Sequence, residues 1–367
     1  MVVTVLCSLL YPFFWSARRR KWRAPQKIVI LKPCCFGDVV GATALLAALR
    51  RAYPQAHIDW AVGDWSRPAV SHHPDLNGLL DASGVGEGRP DWACAFWLVR
   101  QLRQSSYDTA FIPDRSPLLA MIPWLAGIRQ RVGLNSRGRG FAHTRPVPVR
   151  EIKLEPEVYL DCARAVGIEV HGADLKVVPG PEGRKRAAIG LNKVGLESRS
   201  FAVLHPGGGQ NPGMTLDAKR WPLEYFARLA RRLIEKSRNA VVVVGGPDDA
   251  GLTAAVKGLV DLPVTDWGGV EWDEIGALAE RAALYVGNDT GATHMAVAVG
   301  CKTVMVMGPS DPRRYAPFAV PSQAVAVWKP WAVPQQGVRG GAKSFDWQRD
   351  GVGVEDVWEA CKLLLEG

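Results

Sequence analysis

The stretch Ala283-Leu-Tyr-Val-Gly-Asn-Asp-Thr-Gly-Ala-Thr-His-Met-Ala-Val-Ala-Val-Gly300 constrains the fold more than any other part of the chain. Residues 283–286 read as a buried strand, residues 287–291 as a tight turn, and a helix of small residues begins near Thr290. A strand running into a helix amino terminus gathers unbonded backbone N–H groups and the positive end of the helix dipole at one point. A diphosphate can bind there with few cationic side chains. The plainer alternative is that Asp289 caps the helix and Gly291 eases the turn.

The same alternation recurs along the chain. Ile28-Val-Ile-Leu31 is a continuous apolar run of the kind buried on both faces of a parallel sheet. A helix over 39–53, a strand over 57–62 and a strand ending at Ile112 follow. A second series opens at Phe201-Ala-Val-Leu204 and continues through a helix over 223–236, a strand over 240–244, the 283–286 strand and Thr303-Val-Met-Val-Met307. Strand alternating with helix means βαβ units and doubly wound sheets. A chain of 367 residues has room for two such domains, each with its own core. Pro179-Gly-Pro-Glu-Gly183 is the linker candidate, because two prolines and two glycines fall in five residues. The expected division is a segment 1–26, Rossmann-like domains over 27–183 and 184–350, and a terminal stretch 351–367 carrying one amphipathic helix.

Charge is unevenly placed. Residues 1–183 carry 23 Lys and Arg against 16 Asp and Glu, and residues 184–367 carry 22 against 20, which together make the whole chain's 45 and 36. The excess concentrates in Arg18-Arg-Arg-Lys-Trp-Arg23 and in residues 129–150, which hold six Arg and no acid. That clustering suits an anionic partner such as lipid headgroups, a phosphorylated glycan or nucleic acid; a solvated basic surface is the bland alternative. The seven cysteines are odd in number and contain no C-x-x-C pair, so neither a disulfide framework nor a zinc site is indicated, and a reducing cytoplasm fits.

Residues 2–15 are apolar and precede the basic cluster, the reverse of a secretory signal. Fifteen helical residues reach roughly 22 Å, short of the ~30 Å hydrocarbon core, so an interfacial anchor is expected rather than a crossing. Leu6, Leu9, Leu10, Phe13 and Phe14 would face lipid while residues 18–23 hold anionic headgroups, making residues 2–23 a membrane-associating segment. Packing of this segment on the protein is the competing view.

Four strand-end loops of the second half can serve one ligand. His205-Pro-Gly-Gly-Gly209, with Gly207 and Gly208, lets backbone approach a phosphate or sugar closely. Lys219 and Arg220 stand just before a helix, Gly245-Gly-Pro-Asp-Asp249 offers a carboxylate at a strand end, and residues 287–291 complete the set. There is no G-x-x-x-x-G-K-[ST] and no strand-linked G-x-G-x-x-G, which argues against a P-loop ATPase and a dinucleotide oxidoreductase. In the first half, Asp38 at the mouth of the first strand could take a proton from an acceptor hydroxyl, or cap the helix over 39–53, or both.

Taken in order, Lys32-x-x-x-x-Gly-Asp38, His205-Pro-Gly-Gly, Lys219-Arg-Trp-Pro222, Gly245-Gly-Pro-x-Asp249, Gly287-Asn-Asp-Thr-Gly-x-x-His294 and Gly308-Pro-Ser-Asp-Pro312 resemble glycosyltransferase family 9, the ADP-heptose:lipopolysaccharide heptosyltransferases and their relatives. The likeness covers roughly residues 27–315. It implies a GT-B fold of two Rossmann-like domains facing a cleft, with acceptor in the first and nucleotide-sugar in the second, and inverting transfer without metal or cofactor. Asp38 matches the family's proposed base, and Lys219 the lysine on the donor phosphates. Asp249 falls where the family has an acidic residue on ribose. Asp289, Thr290 and Gly291 match the turn binding pyrophosphate and sugar, with His294 on the following helix.

The implied partners are a nucleotide-sugar, ADP-linked above all, and a glycan or glycolipid acceptor; residues 2–23 add an anionic membrane surface, and nucleic acid is not expected. The cysteines and that segment together place the chain in the cytoplasm, peripheral on the inner face of the plasma membrane. The chain departs from the pattern in a long loop over 210–218, in its apolar amino-terminal extension, and in an aromatic and basic region with Trp328, Trp331, Trp347 and Arg349. Two other readings share these residues: a non-catalytic nucleotide-sugar or nucleic-acid binding module using residues 129–150, and a nucleotide-sugar epimerase of GT-B architecture.

Overall fold

Runs of β-branched residues with no polar face can satisfy both sides only inside a covered parallel sheet, and the chain builds two such sheets. The computed structural model describes Cys7 and residues 10–86, 91–331 and 344–366. Two compact units divide at Met1–Leu175 and Lys176–Gly367. The stretch read as a linker lies inside the second unit, where Pro181 opens a helix, a position at which its missing N–H costs nothing.

In the first unit the order is β1 (Lys27–Leu31), α1 (Phe36–Ala52), β2 (His57–Val62), β3 (Gly78–Asp81), α2 (Trp92–Ser105), β4 (Thr109–Ile112), α3 (Pro117–Leu125), β5 (Gln130–Asn135), β6 (Arg145–Pro148) and α4 (Glu155–Arg164). The sheet runs β3-β2-β1-β4-β5-β6, and every pairing is parallel. Ile28 to Leu31 are wholly buried, each side chain contributing about 1.5–3 kcal/mol of apolar burial. Ala95, Leu98 and Leu102 of α2 and Leu119 and Ile122 of α3 cover one face, against Val29, Leu31, Ala110 and Ile112. Elsewhere in the unit α1 packs against α4 across Gly41, where a Cβ would stand 3.2 Å from Pro156 Cγ and 3.4 Å from Tyr159 Cε2. That close approach brings Tyr159 beside Asp38, one turn earlier on α1.

The second unit repeats the scheme with α5 (Pro181–Lys193), β7 (Phe201–His205), a two-stranded hairpin of β8 (Gln210–Asn211) and β9 (Met214–Thr215), α6 (Leu223–Ser237), β10 (Ala240–Val244), α7 (Ala250–Gly258), β11 (Val264–Trp267), α8 (Trp272–Arg281), β12 (Leu284–Asn288), α9 (Gly291–Ala298), β13 (Thr303–Val306), β14 (Ala324–Val327) and α10 (Val354–Glu366). The sheet order is β11-β10-β7-β12-β13-β14, again parallel throughout. Val357, Cys361 and Leu364 of α10 join one core cluster with Val304, Val306 and Phe226. Each sheet therefore reverses its winding beside its first strand, between β1 and β4 and between β7 and β12. Crevices at the carboxyl ends of such neighbouring strands are where open α/β sheets bind ligands.

Of the apolar amino-terminal segment, residues 1–6, 8 and 9 lie outside the described residues, Leu6 and Leu9 with them. Phe14, expected to face lipid, is instead buried, its ring 5.7 Å from Phe141 and 5.2 Å from Trp124. Arg18 fixes that side by donating from Nη2 to Phe141 O at 2.6 Å, so the neighbouring Phe13 and Trp15 turn outward. Among the described residues no helix is long and apolar enough to cross a membrane. In the aromatic region Phe345 stands 5.0 Å from both Trp331 and Trp347, and Trp347 covers Gly308 after β13; residues 332–343 lie outside the described residues.

Candidate active site

In the second unit, β7 and β12 end side by side, and Asn288 locks their ends together. Fully buried, it accepts from Trp221 N at 2.9 Å and donates to Pro206 O at 2.9 Å and Gly207 O at 3.0 Å. The glycine loop after β7 is thereby held against the turn after β12. A Cβ at Gly207 would stand 2.1 Å from Asp249 Cγ, and one at Gly208, whose φ is +87°, would stand 2.5 Å from Thr290 Cγ2. Only glycine fits at these two positions.

Asp289 follows Asn288 directly. Its carboxylate receives Lys219 Nζ at 2.7 Å and lies 3.7 Å from His294 Nε2, while Lys219 also reaches Asp289 O at 3.3 Å. Asp289 does not cap the helix, as the plainer reading allowed, because Lys219 and His294 occupy its oxygens. The cap position belongs to Thr290, which places no side-chain hydrogen bond on the amides of α9, and Thr290 Oγ1 is buried without a hydrogen-bond partner. The amino end of an eight-residue helix, an unpartnered hydroxyl and a lysine thus converge. Burial would raise the Asp289 carboxyl, but Lys219 and then His294 hold it far below the usual carboxylate range. The Asp289 carboxylate therefore stays ionised at neutral pH.

Asp249 lies beside the glycine loop, both oxygens 3.2 Å from Gly208 N, with His205 Nε2 at 3.8 Å and Arg220 Nη2 at 3.9 Å. Arg220 also donates from Nε to Gly208 O at 2.9 Å, so the loop is clamped from two directions. Burial lowers the His205 imidazole, Asp249 opposing and Arg220 reinforcing, which keeps the ring neutral.

In the first unit the corresponding crevice holds a different set. Lys32, just past β1, is buried and donates to Asp114 Oδ2 at 2.8 Å, after β4, and lies 3.5 Å from Asp38 Oδ2. Tyr159 donates from Oη to Asp38 Oδ1 at 3.0 Å, and Arg115 pairs with Glu155 at 2.9 Å. Burial works against the charge on Asp38, yet Lys32, the Tyr159 hydroxyl and Arg115 keep its carboxyl below its ordinary value. The Asp38 side chain remains 37% exposed, so an ionised oxygen is open to a hydroxyl from solvent. Asp38 is not a cap: α1 begins at Phe36, with Cys35 in the cap position, which puts Asp38 within the first turn, where its charge suits the dipole. Among the described residues no three His, Cys, Asp or Glu side chains converge as metal ligands would.

A family model described as glycosyltransferase family 9 (heptosyltransferase) matches residues 95–339. The chain belongs to glycosyltransferase family 9. It is 29% identical over 305 residues to lipopolysaccharide heptosyltransferase 2 of Escherichia coli strain K12, covering 78% of this chain and 84% of that protein. Its fold is similar to the family 9 glycosyl transferase of Veillonella parvula, with TM-score 0.77, 19% identity and coverage of 95% and 99% of the two chains. It is also similar to the E. coli ADP-heptose lipopolysaccharide heptosyltransferase II, with TM-score 0.70, 23% identity and coverage of 93% and 98%.

As a family 9 enzyme the chain is a glycosyltransferase, and its candidate residues fall into two sets. Gly207, Gly208, Lys219, Asp249, Asp289, Thr290, Gly291 and His294 gather at the carboxyl end of the second sheet, and Asp38 stands at the corresponding end of the first. Sequence reasoning did not single out Asp114, Tyr159 or the anchoring role of Asn288. Lys32 and Asp114 carried a faint signal, each being a charged residue one or two places beyond a buried strand. Tyr159 carried none, since only the α1–α4 packing brings it to Asp38.

Proposed function

We propose that this family 9 glycosyltransferase moves a heptose or similar sugar from an ADP-linked donor to a lipid-linked or phosphorylated glycan in cell-envelope synthesis. The reaction inverts the anomeric centre without a metal ion. The observation that carries this reading is the convergence of Lys219, the free amides of α9 and the unpartnered Thr290 hydroxyl beside a glycine loop. It has the chemistry of a diphosphate cradle. The E. coli relatives, one of them named for ADP-heptose, support the choice of donor and of a lipopolysaccharide-type acceptor.

In this reading Lys219 and the amides of residues 291–293 meet the charge that grows on the departing diphosphate. Asp249 takes ribose hydroxyls, and Asp289 with His294 orients the sugar. The acceptor hydroxyl attacks the anomeric carbon opposite the diphosphate; the C–O bond to phosphate breaks, and ADP leaves with the bonding pair. Asp38 takes the hydroxyl proton as that bond forms. Its lowered pKa keeps it deprotonated and ready, while Lys32 and Tyr159 hold its orientation. The enzyme works at the cytoplasmic face of the plasma membrane, held there by the aromatic and basic amino-terminal segment.

A thermal-shift panel of nucleoside diphosphates and their sugars, run on the parent and on Asp38→Asn, tests this. ADP should raise the melting temperature of both proteins alike, because a ligand that binds only the native state stabilises it. Transfer to an acceptor should be lost in Asp38→Asn alone. Stabilisation by uridine but not adenine nucleotides would overturn the donor assignment, and turnover surviving in Asp38→Asn would remove the base. Conversion of the donor without any acceptor would favour the epimerase reading.

A further inference from the structure

A surface helix ordinarily turns polar residues outward. α2 does not. It buries Ala95, Leu98, Val99 and Leu102 against the sheet, then presents Trp92, Phe96 and Trp97 to solvent at 66%, 72% and 48% exposure. α3, beside it on the same face, has nine residues and no polar side chain, and leaves Trp124 and Leu125 open. The two helices are tied by Arg103, whose Nη2 donates to Leu125 O at 2.6 Å. The helical turns over residues 10–18 adjoin α3 through the Phe14–Trp124 ring contact and leave Phe13 and Trp15 open at 74% and 58%. Among the described residues, every exposed phenylalanine and tryptophan lies on these three elements: Phe13, Trp15, Trp92, Phe96, Trp97 and Trp124. Apolar residues scattered singly need no explanation; aromatic residues confined to one layer do.

Charge identifies what such a surface meets. Residues 10–23, 92–105 and 117–129 contain no Asp or Glu, whereas they carry Arg18 to Arg20, Lys21, Arg23, Arg100, Arg103 and Arg129. The Arg19 guanidinium lies 3.5 Å over the Trp15 ring, so cation and aromatic are presented together. Asp91, exposed and accepting from Ala93 N and Cys94 N as the cap of α2, is the carboxylate that adjoins these rings. Amphipathic rings seated at headgroup depth, with arginines on lipid phosphates in excess of that one carboxylate, match the interfacial region of an anionic bilayer. A second copy of this chain fits poorly, because a symmetric pairing would set the same arginines against one another.

We propose that the outer side of the α2–α3 layer, with the turns over residues 10–18, is a docking surface for an anionic lipid bilayer. The inference rests on the membrane-face reading above and adds to it a folded second element, beyond the amino-terminal segment. Docking on α2 and α3 holds the first unit at fixed depth in the interface, where a lipid-linked acceptor lies.

The test is flotation of the full-length protein with vesicles of phosphatidylethanolamine and phosphatidylglycerol, against vesicles of phosphatidylcholine. Three variants are compared with the parent: Trp92→Ser/Phe96→Ser/Trp97→Ser, the milder Phe96→Ser, and Phe13→Ser/Trp15→Ser, each with its melting curve. The parent should bind the anionic vesicles, less so at high salt. The triple variant should bind about tenfold more weakly or worse, since losing roughly two methylene equivalents of burial has that effect. Phe96→Ser should shift the same way by a smaller factor, and turnover on a water-soluble acceptor should be unchanged in both. Loss of binding in Phe13→Ser/Trp15→Ser with none in the α2 variants would overturn this inference and leave the amino-terminal reading standing. A parent that ignores anionic vesicles would overturn both. A parent that self-associates through this face, with the triple variant monomeric and still vesicle-bound, would replace the bilayer by a second copy.

Discussion

Replacing Lys219 by alanine isolates the pair on which the donor site depends. Asp289 is 3% exposed, and its strongest partner is Lys219 Nζ at 2.7 Å; His294 Nε2, at 3.7 Å, is the other basic side chain within reach. Removing one partner of a buried ion pair leaves a stranded charge and costs about 3–5 kcal/mol. The lower end applies here, because the Lys219 side chain is 16% exposed and His294 remains, so a loss of about 3 kcal/mol is expected. In the parent the folded Asp289 carboxyl lies below its unfolded value, so the pair's stabilisation is present above about pH 4 and fades as pH falls through the depressed value. Without Lys219, burial dominates and raises the carboxyl, so the variant's deficit should be greatest at neutral pH and shrink on acidification.

Scanning calorimetry across pH, following the transition that ADP shifts in the parent, measures this. Lys219→Ala/Asp289→Asn should recover much of the lost stability, since both charges are then gone. In the same variant ADP affinity should fall by about 1.5–3 kcal/mol, the worth of a charged hydrogen bond. A Lys219→Ala protein with parental melting temperature at neutral pH would refute the buried-pair argument. Parental ADP affinity would separately remove Lys219 from the donor site.

Two further outcomes are expected. Lys32→Met should move the acid limb of the kcat/KM profile to higher pH: Lys32 helps hold the Asp38 carboxyl low, so its loss raises the pH at which the base becomes protonated. An unmoved limb would mean that the profile reports some other group. Asn288→Leu should strand Trp221 N, Pro206 O and Gly207 O, at about 1–3 kcal/mol for each orphaned buried group. Its melting temperature and its ADP affinity should fall together, and a drop in stability with donor binding intact would show that the glycine loop holds its shape without the asparagine.

Much of the donor site is legible locally. Gly207, Gly208, Asp289 and Gly291 all lie within a few residues of a strand's carboxyl end, and strand periodicity alone puts them on one edge of a sheet. Lys219 is readable for a similar reason, being three residues ahead of a proline that precedes α6. What could not be read is which oxygens are already taken. Both cap alternatives failed on that point: Asp289 is held by Lys219 and His294, and Asp38 sits within the first turn of a helix that starts earlier than its apolar pattern suggests. Proline and glycine mark helix starts as well as boundaries, and here Gly180 and Pro181 open α5 just after the two units divide at Leu175 and Lys176.

Sequence alone determined that this chain would form two doubly wound parallel sheets and that its glycines and charges would collect at their carboxyl ends. Both follow from continuous apolar runs buried on both faces, from turn chemistry and from the ordered motifs of family 9, which act over a few residues at a time. Tertiary structure alone decided that Tyr159 and Asp114 would flank Asp38 and Lys32, that Asn288 would join two other segments, the 206–207 loop and Trp221, to its own strand, and that Phe14 would turn inward while α2 keeps its aromatic side chains outside. Those outcomes depend on contacts between residues far apart in the chain, 121 positions for Tyr159 and Asp38, and the geometry of helix packing against a twisted sheet sets them. No local propensity encodes that geometry.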